Sequence, residues 1–377
     1  MDTSEIDAKV LESLQGTTLA CSALKPISGG TVNWNYHATL VKPLENGFTE
    51  VLVKHGERHM KTRPEFKLEF LRCQIESECY KSLTHRPFTG GTGATDSFSF
   101  TVRTPEFIHF DEENLNQFLE YLPQGTTLKS YLFGDHHLTS SGPESSVSLE
   151  PQFQQLGKAI GTWLTRFVKW AAKQAELRQT VAKNAEAQRI RHWVSFLWLH
   201  DRIKEYPAIL GDVKGVLEEV EQAVAAELRD ERKLQVIHGD LAIGNIVLPD
   251  APLRQHDNIP VFIVDWEMAE LGVPTTDLGH VVVDLYALWM YKSIKPALWI
   301  MQGLVNAYGE VTEESAFRTA LYIGSHLICL ITVSDWLPAD QVEEVVRHGR
   351  DIVVHAWKKD RSWFEKGELR CLFHQIA

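Results

Sequence analysis

Apolar residues recur at helical spacing over residues 4–15, where Ile6, Val10, Leu11 and Leu14 share one face. The pattern then shortens to strand-like runs at 36–41 and 50–53, an antiparallel pairing opened by a glycine turn within 26–35. A helix is predicted over 70–83, followed by strands at 100–103, 107–110 and 117–122. Residues 87–98, PFTGGTGATDSF, lack the GK[ST] ending of a Walker loop and read as a flexible connection.

After residue 122 the character turns helical. A polar loop at 140–149 leads into Phe153, Leu156, Ile160, Trp163, Leu164 and Phe167, a stripe that reads as core. Helices are predicted over 185–204 and 213–229, and an apolar one over 281–289. Between them, runs at 245–248 and 261–264 flank the turn-rich PDAPLRQHDNIP and predict a hairpin whose ends set Asn245 beside Asp265. A chain of 377 residues exceeds the size at which one core usually divides, so two domains are expected, 1–122 with the sheet and 123–377 mainly helical.

That hairpin carries the strongest chemical signal. VIHGDLAIGNIVLPD places Asp240 five residues before Asn245 and twenty-five before Asp265. Moving a phosphoryl group requires one carboxylate to orient and deprotonate a hydroxyl, and an Asp and Asn whose oxygens hold Mg2+ on the nucleotide phosphates. Asp240 suits the first role; Asn245 and Asp265 suit the second. The competing reading is a buried hairpin whose polar residues only cap turns.

HGDLAIGNIVL together with IVDWEMAELGVPTTDLGH resembles the aminoglycoside phosphotransferase and choline kinase superfamily, small-molecule relatives of the protein kinases. SGGTVNWNYHATL and VLVKHGERHM extend the likeness toward the branch holding methylthioribose kinase and fungal 4-hydroxytryptamine kinase. The resemblance implies a two-lobed α+β fold with ATP between a sheet-bearing N-lobe and a helical C-lobe. It implies Gly29, Gly30, Asn33 and Lys54 at the phosphates, Glu76 steadying Lys54, and backbone groups from Glu120 to Leu122 on the adenine edge. Lys54 and Asp240 are the expected catalytic pair. Only eleven residues separate Asp265 from Asp277, which leaves no room for a peptide-docking activation loop. Asp277 is expected to tie down the HGD loop or cap the next helix, and His238 to serve packing.

Charge and composition narrow the partners. Fifty acidic against thirty-eight basic residues give a net charge of −12, which argues against nucleic acid and suits either a cationic small molecule or a solvated acidic surface that aids solubility. Trp289, Tyr291, Asp335 and Trp336 are groups suited to an organic cation or an indole, although core packing also explains them. No Arg-Arg pair occurs in HGRDIVVHAWKKDR, which disfavours methylthioribose. Five cysteines without metal spacing suit a reducing compartment, and the acidic start has no apolar core. No apolar run reaches the eighteen or so residues of a membrane span. The expectation is a cytoplasmic, monomeric, ATP- and Mg2+-dependent kinase acting on a hydroxyl of an amine-bearing alcohol or phenol. A sugar acceptor, a silent ATP-binding protein and a purely structural module are the alternatives.

Overall fold

Alternation in Trp34–Leu40 buries Trp34, Tyr36, Ala38 and Leu40 on one side of a strand, and the first unit is built on that face. The computed structural model describes residues 3–84, 86, 98–134, 149–255, 257–309 and 312–373, so nearly all of the connection expected at 87–98 and the loop expected at 140–149 lie outside the described residues. In chain order the strands are β1 (Cys21–Ile27), β2 (Trp34–Leu40), β3 (Glu50–His55), β4 (Ser99–Arg103), β5 (Phe107–Asp111), β6 (Asn116–Glu120), β7 (Gly125–Thr127), β8 (Gln235–Ile237), β9 (Ile246–Pro249), β10 (Asn258–Ile263) and β11 (Glu270–Gly272). The longer helices are α1 (Thr3–Leu14), α2 (Leu71–Leu83), α3 (Glu150–Ala171), α4 (Ala185–His192), α5 (Lys214–Glu227), α6 (Thr275–Lys292), α7 (Lys295–Tyr308), α8 (Glu313–Cys329) and α9 (Val342–Trp357).

Contacts divide the chain into two compact units. The first comprises Met1–Arg86, Thr104–Gln124 and Val264–Glu267. Its antiparallel sheet runs β1-β2-β3-β6-β5. Ile6, Val10 and Leu14 of α1 close over Trp34, Tyr36, Ala38, Val51, Val53 and Phe118. Each large side chain buried this way contributes roughly 1.5–3 kcal/mol. Strand β1 was not expected beyond the glycine turn. It is an edge strand with irregular burial, and an edge tolerates Pro26, so its sequence alternates poorly.

The second unit comprises Pro87–Arg103, Gly125–Ile263 and Met268–Ala377. It holds a four-stranded sheet, β4-β10-β9-β7, a ribbon of β11 and β8, and a large helical body. The expected hairpin is β9 with β10, antiparallel, Ile246 opposite Ile263. Apart from a boundary at Gln124, a single cut after residue 122 differs from this division at two places. Strand β4 pairs in parallel with β10 and so belongs to the second unit, while Val264–Glu267 is bonded into the first.

Close helix packing organises the helical body. Gly157 and Gly161 of α3 sit against the carbonyl oxygens of Ile300 and Leu304 on α7, and Gly303 of α7 sits against that of Gln154, so a β-carbon at any of the three would strike backbone. The expected helix over 185–204 is interrupted by a π-turn at Trp193–Leu197, where the Trp198 amide donates to the Trp193 carbonyl at 2.9 Å. The absence of a span-length apolar run needs correction. Glu313–Val333 has that length at a mean hydropathy of 1.5, but 83% of its most apolar window is buried in the protein. A core helix covered on all sides is apolar all round.

Candidate active site

In the first unit the pleat of β3 turns Lys54 inward toward α2, opposite Asn35 and Gln117 in the sheet. Its Nζ donates to Glu76 Oε1 at 2.7 Å and to Asp265 Oδ1. The Trp266 amide also donates to Glu76 Oε1, at 3.1 Å, and the Asp265 amide donates to the Tyr80 hydroxyl oxygen at 3.0 Å. Asp265 adopts a left-handed conformation, φ 70°, unusual for a residue with a side chain and tolerated because these bonds fix it. Burial opposes the charge on Lys54, but Asp265, Glu76 and Glu267 outweigh it and hold its pKa well above the ordinary lysine value. Burial pushes Glu76 up to about 7, against the pull of Lys54.

Behind this pair stands a buried brace that sequence reasoning missed. Arg72 Nη1 donates to Glu267 Oε2 and to Asn33 Oδ1, each at 2.8 Å, and its Nη2 donates to the Glu57 carbonyl at 2.8 Å. Asn33 Nδ2 completes the ring by donating to Glu267 Oε2 at 2.8 Å. The Asn33 side chain, expected at the phosphates, is therefore engaged within the protein. Gly29 and Gly30 lie in the turn between β1 and β2 with φ of 100° and 75°. At the end of β6 the Glu120 amide donates to the Glu106 carbonyl at 2.9 Å, so that amide is already committed; Leu122 follows two residues later.

In the second unit β8 delivers the chain into the HGD loop. Asp277, in the first turn of α6, accepts from the His238 amide at 2.7 Å and from the Gly239 amide at 3.0 Å, which is the tying role expected of it. Gly239 has φ 78°, and a β-carbon there would strike the Met268 carbonyl. His238 is fully buried, and its Nδ1 accepts from the Asp240 amide at 3.2 Å. Asn245 Nδ2 donates to the Asp240 carbonyl at 2.8 Å and to Asp240 Oδ2 at 3.1 Å, leaving the Asn245 Oδ1 lone pairs unengaged by Asp240. Asp284 Oδ2 accepts from the Ile243 amide at 3.1 Å.

The partner of Asp240 was not legible in advance. Arg191 of α4 donates from Nη2 to Asp240 Oδ1 at 2.9 Å and from Nη1 to the Tyr322 hydroxyl at 3.3 Å. The Arg191 side chain is 8% exposed and that of Asp240 is 35% exposed, so a buried cation holds a carboxylate that still reaches solvent. Around them burial pushes Glu270 up to about 8 and Asp284 up to about 7, and holds His280 and His326 well below the ordinary imidazole pKa. Of the aromatic and acidic candidates, Asp335 pairs with Lys129 at 3.5 Å and Trp336 faces Phe133, both partners lying on the helix Leu128–Phe133, while Tyr291 is buried.

Each unit thus holds its own cluster of charged and polar side chains. The first offers a fixed ammonium beside carboxylate oxygens of Glu76, Asp265 and Glu267 that lie within 4.8 Å of one another. The second offers an oriented carboxylate next to an amide oxygen. Hard oxygen donors of this kind suit Mg2+.

Residues 130–313 match the model of the phosphotransferase enzyme family. The chain is 30% identical to phosphotransferase FrzJ of a Cladobotryum species, over 97% of this chain and 95% of that protein. It is 22% identical to 4-hydroxytryptamine kinase of Psilocybe cubensis, over 92% and 90% of the two chains. Among solved structures, choline kinase from Cryptosporidium parvum is similar at a TM-score of 0.49 and 13% identity, over 99% of this chain and 100% of that one. Sequence likeness that runs nearly end to end and includes the HGD loop makes this chain a member of the phosphotransferase enzyme family, a small-molecule kinase that transfers phosphate to a hydroxyl.

Proposed function

We propose that the protein transfers the γ-phosphoryl group of ATP, with Mg2+, to the hydroxyl of a small amine-bearing alcohol or phenol. The observation that carries this reading is the state of Asp240: ionic contact with Arg191 on one oxygen, Asn245 on the other, and partial access to solvent. Such a carboxylate can accept a hydrogen bond from an incoming hydroxyl and take its proton as the oxygen attacks the γ-phosphorus. The bond to the β-γ bridging oxygen then breaks and ADP leaves. Lys54, Gly29 and Gly30 would contact the phosphates, with the backbone from Glu120 to Leu122 at the adenine. Asn245 and Asp265 would hold Mg2+, which when bound neutralises charge on the phosphate oxygens.

The acceptor class rests on the acidic balance of the chain and on a relative named 4-hydroxytryptamine kinase. A panel of hydroxylated aryl amines, amino alcohols and pentoses, assayed for ADP release with and without Mg2+, tests it. The expected result is turnover of a hydroxylated amine that Asp240→Asn lowers by roughly 10²–10⁴-fold without loss of ATP binding. Turnover confined to pentoses would overturn the acceptor class, and full activity in the variant would overturn the role of Asp240.

A further inference from the structure

Helices α6 and α8 come close because Gly279 has no side chain where the Tyr322 ring packs. That approach brings three groups together. His280 and Asp284 lie four residues apart on one face of α6, and His326 projects from α8 with its ring centroid 4.8 Å from that of His280. One nitrogen from each histidine and one oxygen of Asp284 all lie within 4.8 Å of one another. Both imidazoles are buried, 6% and 3% exposed, yet Nδ1 of each has no hydrogen-bond partner among the described residues. A buried polar atom left without a partner costs about 1–3 kcal/mol, so two on facing imidazoles suit a ligand that bonds to both.

We propose that His280, Asp284 and His326 form a site for a divalent transition metal of the zinc type, distinct from the groups assigned to Mg2+, and that its occupancy inhibits phosphoryl transfer. Two imidazoles and a carboxyl group are a donor set that zinc and cobalt prefer and magnesium does not. A tetrahedral ion with bonds of about 2.0–2.1 Å requires its ligands to draw somewhat closer together than they stand, which rotation of the His side chains supplies. Two carboxylates, Asp240 and Asp284, face one guanidinium, Arg191, which is already bonded to Asp240 and Tyr322, so the local charge accommodates a dication. Asp284 is half-buried, less enclosed than either histidine. His280 Nδ1 lies 3.7 Å from Asp240 Oδ1, so a dication held there competes with the acceptor proton for that carboxylate.

The inhibitory half rests on the function proposed above; the binding half does not. Chelator-stripped full-length protein is titrated with Co2+ in millimolar Mg2+ and followed by visible absorption, then with Zn2+ as competitor. One equivalent of Co2+ with an intense tetrahedral band, displaced by Zn2+ and not by Mg2+, is expected. His326→Gln should weaken it by more than about a hundredfold, beyond the loss typical of an outer-shell partner. Asp284→Asn, at a half-buried position, serves as the second variant if His326→Gln fails to fold. No uptake at micromolar free metal, uptake displaced by Mg2+, or uptake unchanged in both variants overturns the site. With an acceptor in hand, Zn2+ should inhibit the wild type at concentrations that leave His326→Gln active, and binding without inhibition overturns the regulatory claim. Loss of all kinase activity across the acceptor panel would sink the functional reading while the cobalt spectrum still reports on the site.

Discussion

Arg191 and Asp240 are joined across 2.9 Å by a guanidinium that is almost wholly buried and a carboxylate that is not. The arginine fixes one oxygen and leaves the other toward Asn245, so the carboxylate, the proposed proton acceptor, has one orientation instead of several. Arg191→Lys keeps the charge but cannot reach Asp240 and Tyr322 together. It should lower kcat by about 10–100-fold with the KM for ATP little changed, a loss of about 1.4–2.7 kcal/mol in the transition state. Steady-state kinetics with the acceptor found by the panel would decide it, and a rise in KM alone would contradict a positioning role.

Lys54 is the only ammonium among Glu76, Asp265 and Glu267 in the described contacts of that cluster. Lys54→Met leaves three carboxylates with Arg72 as their remaining cation. The expected outcome is a fall in kcat/KM for ATP of roughly 10²–10³-fold, or about 3–4 kcal/mol. Glu76→Gln keeps an acceptor oxygen for Lys54 and the Trp266 amide and should cost less. Equal kinetics for the two variants would show that Glu76 does more than steady Lys54.

Gly239→Ala combines a strained φ of 78° with a clash against the Met268 carbonyl. Strain of about 1–3 kcal/mol is the minimum, because the β-carbon also forces the loop off the Asp277 carboxylate. Both Tm and kcat should fall. A variant with native Tm and native turnover would show that the loop has room to move.

Glu270 gives a pH prediction. Burial raises its pKa to about 8 from an ordinary carboxylate value, so the folded protein holds a proton there that the unfolded chain has already released. Its contribution to stability is therefore present at low pH and is lost progressively as pH rises through about 8. Glu270→Gln removes this dependence. Denaturant midpoints taken from pH 5 to pH 8.5 should decline less steeply for the variant than for the wild type, and parallel curves would contradict the assignment.

The elements that could be read from the sequence were those with a short repeat. Helices α1, α2, α3, α5 and α6 and the β9–β10 pair followed from apolar spacing within one element, and the HGD loop announced itself by residue order. Strand β1 could not, since an edge strand shows no clean alternation. Arg191 and Arg72 could not either. Each is forty-nine or more residues in sequence from the carboxylate it pairs with, Asp240 or Glu267, and such a pairing is fixed by tertiary packing alone. The same holds for His280 with His326, where only the i, i+4 spacing of His280 and Asp284 left a local trace. Asn33 shows the limit of analogy: its side chain is tied to Glu267 and Arg72.

The π-turn at Trp193–Leu197 has a consequence for how this enzyme tolerates length change. Such a turn is what a helix becomes when it absorbs one surplus residue. Excising a single residue there would relax the segment to an ordinary spiral and swing everything upstream by about 100°. Arg191, two positions before the turn, would be carried away from Asp240, so losing one residue there would strip that aspartate of its buried counter-ion.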